Sequence, residues 1–280
     1  MKTSATMAES AADSVRFEFG ENWRQFLRVL TDDRIVQAEA SLIAMLDLPL
    51  GGRRFLDVGC GSGLFSLAAR RLGADVTSFD FDRASVACTE ELKRRYFDGD
   101  RAWTVSPGSV LDADFMHSLG TYDVVYSWGV LHHTGAMWTA LELACRAVSS
   151  GGRLFIALYN DQGAKSVWWR RIKRTYNRLP RVLQPAYMLV FGAALEVGAL
   201  AVSLARFKPR QYLNRITTYQ NVRGMSRWHD VVDWIGGYPF EVATPEVVLE
   251  FCRQRGFAPV RVKTCGGKLG CNEFVFERET

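Results

Sequence analysis

"FLDVGCGSGLFSLAARRLGADVTSFD", residues 55–80, decides what kind of nucleotide fold this chain adopts. "RRFLDVG" is an apolar, β-branched run that stops at glycine, and it predicts a buried strand over roughly 53–58. "LFSLAARRLG" repeats its apolar residues at helical spacing and ends in glycine, the pattern of a helix with its stop. "ADVTSFD" is a second strand that ends in an acid. The three together make one βαβ unit with the glycines in its first turn. A dinucleotide fingerprint spaces its glycines as GxGxxG. Here they fall at Gly59, Gly61 and Gly63, so the third arrives one residue early and position 64 is leucine. Asp57 sits just inside the first strand, where a carboxylate is awkward beside a pyrophosphate and suits a ligand that carries positive charge. Asp80 ends the second strand, where a carboxylate takes both hydroxyls of a ribose.

With these residues, over roughly 35–160 and again over 243–278, the sequence resembles the class I S-adenosylmethionine-dependent methyltransferases, and its core is similar to the ubiquinone-pathway O-methyltransferases. The cofactor of that family carries a sulfonium and an ammonium, which fits Asp57. The resemblance implies an α/β fold: a Rossmann-like seven-stranded, mostly parallel sheet with an antiparallel last strand, plus a mainly helical insertion between strand five and the last helix. It divides the chain into a tail and aromatic lid (1–34), a cofactor-binding core (35–160 and 243–280) and a helical cap (161–242).

The resemblance also implies roles. Gly59, Gly61 and Gly63 let the backbone approach the methionine part, and Asp80 takes the ribose. "GSVLD", 108–112, places Val110, Leu111 and Asp112 at the adenine, with Asp112 accepting from the exocyclic amine and Phe81 covering one face. A surface turn residue is the plainer reading of Asp112. "YDVVYSWGVLHHT", 122–134, is a fourth strand whose following loop passes the sulfonium, lined by Ser127 and Trp128 with Gly129. The relatives' Glu-His pair after that strand is His132-His133 here. "GGRLFIALYND", 151–161, is the fifth strand and ends at Tyr159 and Asn160, on the carboxyl edge where open α/β sheets keep their ligands. "TPEVVLEFCRQRGF" is a helix with Thr244 at its cap and proline in its first turn. "APVRVKTC" and "CNEFVFERE" close the sheet as a hairpin.

The chain has 280 residues, 48% of them apolar and 23% charged, enough for one large domain with an insertion. Residues 1–14 lack the apolar middle of a signal peptide, and six cysteines without a CxxC read as reduced thiols, so a cytoplasmic location is expected and no metal site is. The aromatic residues Phe17, Phe19, Trp23 and Phe26 form either a lid over the cofactor or a strap on the sheet edge.

Charge concentrates in the insertion. Residues 161–215 hold 11 Lys/Arg against Asp161 and Glu196, in a chain of net charge +5. An anionic acceptor, a membrane surface and nucleic acid compete for these cations, with a solvated helix face as the bland alternative. "PAYMLVFGAALEVGALAVSLA", 185–205, approaches the length of a bilayer span. Glu196 and two glycines weigh against a span, and a buried cap helix is the favoured expectation. Flanking cations keep a peripheral membrane contact through 165–210 in view. In "YQNVRGMSRWHDVVDWIGGYPF", 219–240, Ser226 caps a short helix that puts His229 and Asp233 on one face.

Together these readings predict a small-molecule methyltransferase that methylates oxygen by in-line displacement. Its acceptor, an anionic small molecule, lies among Asn160, Arg223, Arg227 and Tyr238, with His132, His229 and Tyr159 as catalytic candidates. A hydroxyl acceptor needs a base and a carboxylate does not. The alternatives are a tRNA-modifying methyltransferase, a relative that cyclises or cleaves S-adenosylmethionine, and a non-catalytic cofactor-binding subunit.

Overall fold

The computed structural model describes Leu27, residues 30–207, Arg210 and residues 234–280. These residues fall into two compact units. One runs up to residue 166 and resumes at 240–280; the other is drawn from 167–239.

The first unit is a seven-stranded sheet in the order β3-β2-β1-β4-β5-β7-β6. Its strands are β1 (Arg54–Val58), β2 (Asp75–Asp80), β3 (Trp103–Pro107), β4 (Tyr122–Trp128), β5 (Val148–Tyr159), β6 (Phe257–Lys263) and β7 (Cys271–Arg278). The first five are parallel and β7 runs antiparallel between β5 and β6. Phe55, Leu56 and Val58 of β1 are all buried, as a central strand covered on both faces requires.

One face carries α1 (Asp32–Leu46), α2 (Leu64–Arg71) and α3 (Arg83–Tyr96). Ile35, Leu42, Leu67 and Leu92 pack there against Phe55, Val124 and Phe155. The other face carries α4 (Ala113–Leu119), α5 (Met137–Arg146) and α8 (Pro245–Arg253), where Met116, Leu141 and Val248 meet Leu56, Val125 and Ile156. Thr244 and Pro245 open α8 as the sequence predicts, although the threonine makes no side-chain cap hydrogen bond. The strand order reverses between β1 and β4, so the crevice at their carboxyl ends is where an open α/β sheet receives its ligand.

The second unit contains most of α6 (Ala164–Arg178) and all of α7 (Gln184–Ala205). Its small core joins Tyr176, Met188 and Ile235, flanked by Ile172, Tyr187, Phe191 and Trp234. Lys173, one of the insertion's 11 cations, is buried here: its ammonium donates to the Trp234 carbonyl and lies 4.5 Å from the centre of that ring. The expectation of a buried cap helix over 185–205 is corrected. Met188 is buried, but Leu189, Val190, Val197, Leu200, Val202 and Leu204 are exposed.

Candidate functional site

The loop after β1 is tied down by its own backbone. Gly59 N and Cys60 N both donate to Phe79 O, at 2.9 and 3.0 Å, which fastens the loop to β2. Gly59 and Gly63 have φ of +79° and +78°, a region that favours glycine. A Cβ on Gly59 would lie 2.4 Å from Val130 Cγ1, and one on Gly63 would lie 3.0 Å from Thr89 Cα. The protein's own side chains therefore fill the space that two of the glycines leave.

Asp80 pins the third. Its Oδ2 accepts from Gly61 N and its Oδ1 from Asp82 N, both at 2.9 Å. The carboxylate that ends β2 thus fixes both the glycine loop and the turn into α3.

Asp57 is buried beneath that loop. Its Oδ2 accepts from Ser66 Oγ at 2.5 Å, Ser66 Oγ accepts from Ser78 Oγ at 2.7 Å, and Ser78 Oγ accepts from Trp103 Nε1 at 3.0 Å. The chain crosses from β3 through β2 and α2 to β1, every link donating toward the carboxylate. Burial pushes the Asp57 carboxyl up to about 7, the nearby Asp80 charge adds to this, and the Ser66 hydrogen bond opposes it. The sequence draws attention to Asp57 alone, because Ser66, Ser78 and Trp103 meet only through the sheet.

The remaining predicted cofactor contacts differ in their surroundings. Phe81 follows β2 and is 47% exposed, and Trp128 at the end of β4 is 45% exposed. Val110 points into the core and Leu111 packs against it. Asp112 is the N-cap of α4, its Oδ1 accepting from Phe115 N at 3.0 Å, so the plainer reading describes at least one of its oxygens. The Ser127 hydroxyl donates to Val58 O at 3.0 Å, so its contribution to a ligand wall is backbone rather than hydroxyl.

At the end of β5, Tyr159 lies over His132, ring centres 3.9 Å apart, with Phe240 at 5.3 Å. His132 Nδ1 accepts from Tyr159 N at 3.3 Å. The imidazole is 1% exposed. In its neutral form the ring proton then sits on Nε2, so this arrangement makes His132 a support beneath Tyr159, not the general base the sequence suggested. Asn160 is also reassigned. Its Oδ1 accepts from Asn272 Nδ2 at 2.9 Å and its Nδ2 donates to Lys268 O at 3.4 Å, which ties β5 to β7 and the loop before it.

Glu241 carries no sequence motif, yet its backbone N donates to His132 O and its Oε2 accepts from Met137 N, both at 3.0 Å. It holds the loop after β4 and the start of α5 together. Tyr238 belongs to the second unit. His229, Arg223, Arg227 and the aromatic residues Phe17, Phe19, Trp23 and Phe26 lie outside the described residues. Among the described residues no cluster of three metal-binding side chains forms.

This arrangement fits S-adenosylmethionine. Carboxylates stand within β1 at Asp57, at the end of β2 at Asp80 and after β3 at Asp112, suited to a cationic end, ribose hydroxyls and an exocyclic amine, and the exposed rings of Phe81 and Trp128 offer faces to a base and a wall.

Comparison with known proteins agrees. A methyltransferase-domain family matches residues 30–188. A tRNA U34 carboxymethyltransferase from Methylococcus capsulatus is 36% identical over 109 residues, 39% of this chain and 32% of that protein. A ubiquinone biosynthesis O-methyltransferase from Xanthomonas oryzae pv. oryzae is 33% identical over 115 residues, 40% of this chain and 46% of the relative. The chain therefore spans less than half the length of either. The fold is shared with a magnesium protoporphyrin IX methyltransferase from Synechocystis PCC 6803 solved with bound SAH, at TM-score 0.56 and 14% identity over 97% of this chain and 100% of that one. With over half its length matched to the family model, the chain belongs to the methyltransferase-domain family.

Proposed function

We propose that the chain methylates a small-molecule acceptor on oxygen, and that the acceptor is received at the carboxyl edge of β4 and β5 beside Tyr159. The observation that carries this reading is the aromatic group of Tyr159, His132, His133 and Phe240 at the end of β5. His132, His133 and Phe240 are buried and Tyr159 is half-buried, so Tyr159 is the ring of this group that an acceptor can meet. The similarity to a ubiquinone biosynthesis O-methyltransferase supports a small acceptor with a hydroxyl.

S-adenosylmethionine brings a methyl group already activated on sulfur, so the protein's share is positioning and exclusion of water. Asp80 would hold the ribose, Asp57 the cationic end, and Phe81 with Asp112 the adenine. Tyr159 orients the acceptor, and His132, through the hydrogen bond from the Tyr159 backbone, fixes the end of β5. A hydroxyl acceptor must lose its proton. With His132 engaged, that proton leaves through the acceptor's own acidity.

The test is a screen of phenols, carboxylic acids and amines for a gain of one methyl by mass spectrometry. With an acceptor in hand, Tyr159→Phe and His132→Ala are each expected to lower kcat roughly tenfold or more while leaving S-adenosylmethionine affinity within about a factor of two, measured by calorimetry. Full turnover in both variants would place the acceptor elsewhere. The competing acceptor is tRNA, supported by the similarity to a tRNA U34 carboxymethyltransferase. Methyl incorporation into tRNA, with RNA binding that weakens steeply with salt, would replace the small-molecule reading.

A further inference from the structure

Helix α7 is apolar around its whole circumference, with Glu196 as its one charged side chain among 22 residues. A helix of that kind needs surroundings other than water on every side. Among the described residues of its own unit, α7 has them on one side of its first turns, where Met188, Tyr187 and Phe191 meet Tyr176 and Ile235. Leu189 is 62% exposed and Val197 67%, and Leu200 and Leu204 lie open further along. The helix before it is two-faced. Its inner face, with Ile172, Lys173 and Tyr176, packs in the small core. Its outer face carries Arg170, Arg174 and Arg178, spaced by four so that they form one stripe, with exposed Trp168 beside them. Arg181 precedes α7 and Arg206 follows it, both exposed.

We propose that α7 and the arginine face of α6 together form a docking surface for a bilayer containing anionic lipid, with α7 lying in the plane of the headgroups. Apolar residues, a rim of arginines and an exposed tryptophan are the combination that an interfacial helix uses.

The chain's path argues against crossing the bilayer. Trp234 packs on Trp169 and Lys173, so after α7 the chain comes back to α6. A crossing would need residues 206–233 to make the return pass, and that segment contains Arg206, Lys208, Arg210, Arg215, Arg223 and Arg227. Charge argues against a second copy as the occupant. Residues 161–215 hold 11 Lys/Arg, of which Lys173 is buried, against 2 acids, and two such surfaces face to face would repel, whereas anionic headgroups complement them. Phosphates of RNA would satisfy the arginines but leave α7 in water.

The test is flotation of the full chain with vesicles of phosphatidylcholine alone and of phosphatidylcholine mixed equally with phosphatidylglycerol. Floated protein is expected to rise roughly tenfold or more on the anionic vesicles. The pair Val197→Asp with Leu200→Asp should remove roughly nine-tenths of it, and the triple change Arg170→Glu, Arg174→Glu, Arg178→Glu should abolish the preference for anionic lipid. Cofactor titration of each variant reports whether the core is intact. Should the aspartate pair lose cofactor affinity, the triple variant decides alone.

No flotation on either vesicle, flotation unchanged by the variants, a lipid-free dimer dissolved by Val197→Asp, or binding to tRNA without binding to vesicles would each overturn the proposal. The readout needs no acceptor, so it stands or falls separately from the O-methylation reading.

Discussion

Asp80→Ala is expected to weaken S-adenosylmethionine binding by about 2–3 kcal/mol, roughly 30–150-fold, because hydrogen bonds to a charged group are worth about 1.5–3 kcal/mol each. This expectation gives the carboxylate two tasks. It already accepts from Gly61 N and Asp82 N, so it shapes the loop before any ligand arrives. A carboxylate accepts about four hydrogen bonds in all, so holding the loop and receiving ribose hydroxyls are compatible. The tasks separate experimentally. Loss of the two backbone contacts should lower the melting temperature of the free protein, whereas loss of the ribose contact appears only in calorimetric titration. Asp80→Asn keeps one carbonyl oxygen and should fall between wild type and alanine in both. An alanine variant that melts lower yet binds the cofactor with unchanged affinity would confine Asp80 to the loop and remove it from the ribose.

The same stretch shows why the fold around the glycine loop was readable in advance. Strand, glycines, helix, strand and acid occupy 26 consecutive residues, and each signal is local: an apolar run, a left-handed turn, a helical repeat, an acid at a strand end. The sheet order followed from the resemblance that those residues carried. Local signals also carry more than one meaning. Asp112 and Asn160 stand where a ligand contact is expected, but an aspartate before a helix is also an N-cap, and an asparagine at a strand end also cross-links strands. Nothing within a few residues of either distinguishes the two uses.

Contacts between distant segments left no trace at all. Trp103 reaches Asp57 through two serines on different elements, and Glu241 reaches Met137 across 104 positions. For α7 the composition was plain and the surroundings were not. An apolar helix reads the same whether protein or lipid covers it.

Asp57 leads to the other large effect, and its sign can be worked out. The carboxyl is raised from 3.8 to about 7, first by burial and then by the charge of Asp80. Between those two values the folded protein holds a proton that the unfolded chain has released. By linkage this group stabilises the free protein at low pH, and its contribution is lost as pH rises to about 7. The loss amounts to about 4 kcal/mol at about 1.4 per pH unit.

Cofactor binding should slope the other way. A cationic ligand beside Asp57 favours the ionised carboxylate, so binding below about pH 7 must expel the proton. Affinity for S-adenosylmethionine is therefore expected to rise about tenfold per pH unit from about 5 to about 7 and to level off above. Opposite slopes make the result specific, since general acid unfolding would lower affinity and stability together. Asp57→Asn keeps a partner for Ser66 and removes the titration. Its affinity should be nearly independent of pH and close to that of wild type at the acid end, while its free form should lose less stability than wild type between pH 5 and 8. Calorimetry in buffers of different ionisation enthalpy would also read uptake by the buffer of close to one proton per cofactor bound near pH 6. A flat affinity profile in wild type, or an unchanged slope in Asp57→Asn, would mean that the cationic end of the cofactor lies away from Asp57, leaving the Trp103-Ser78-Ser66 chain to brace the fold alone.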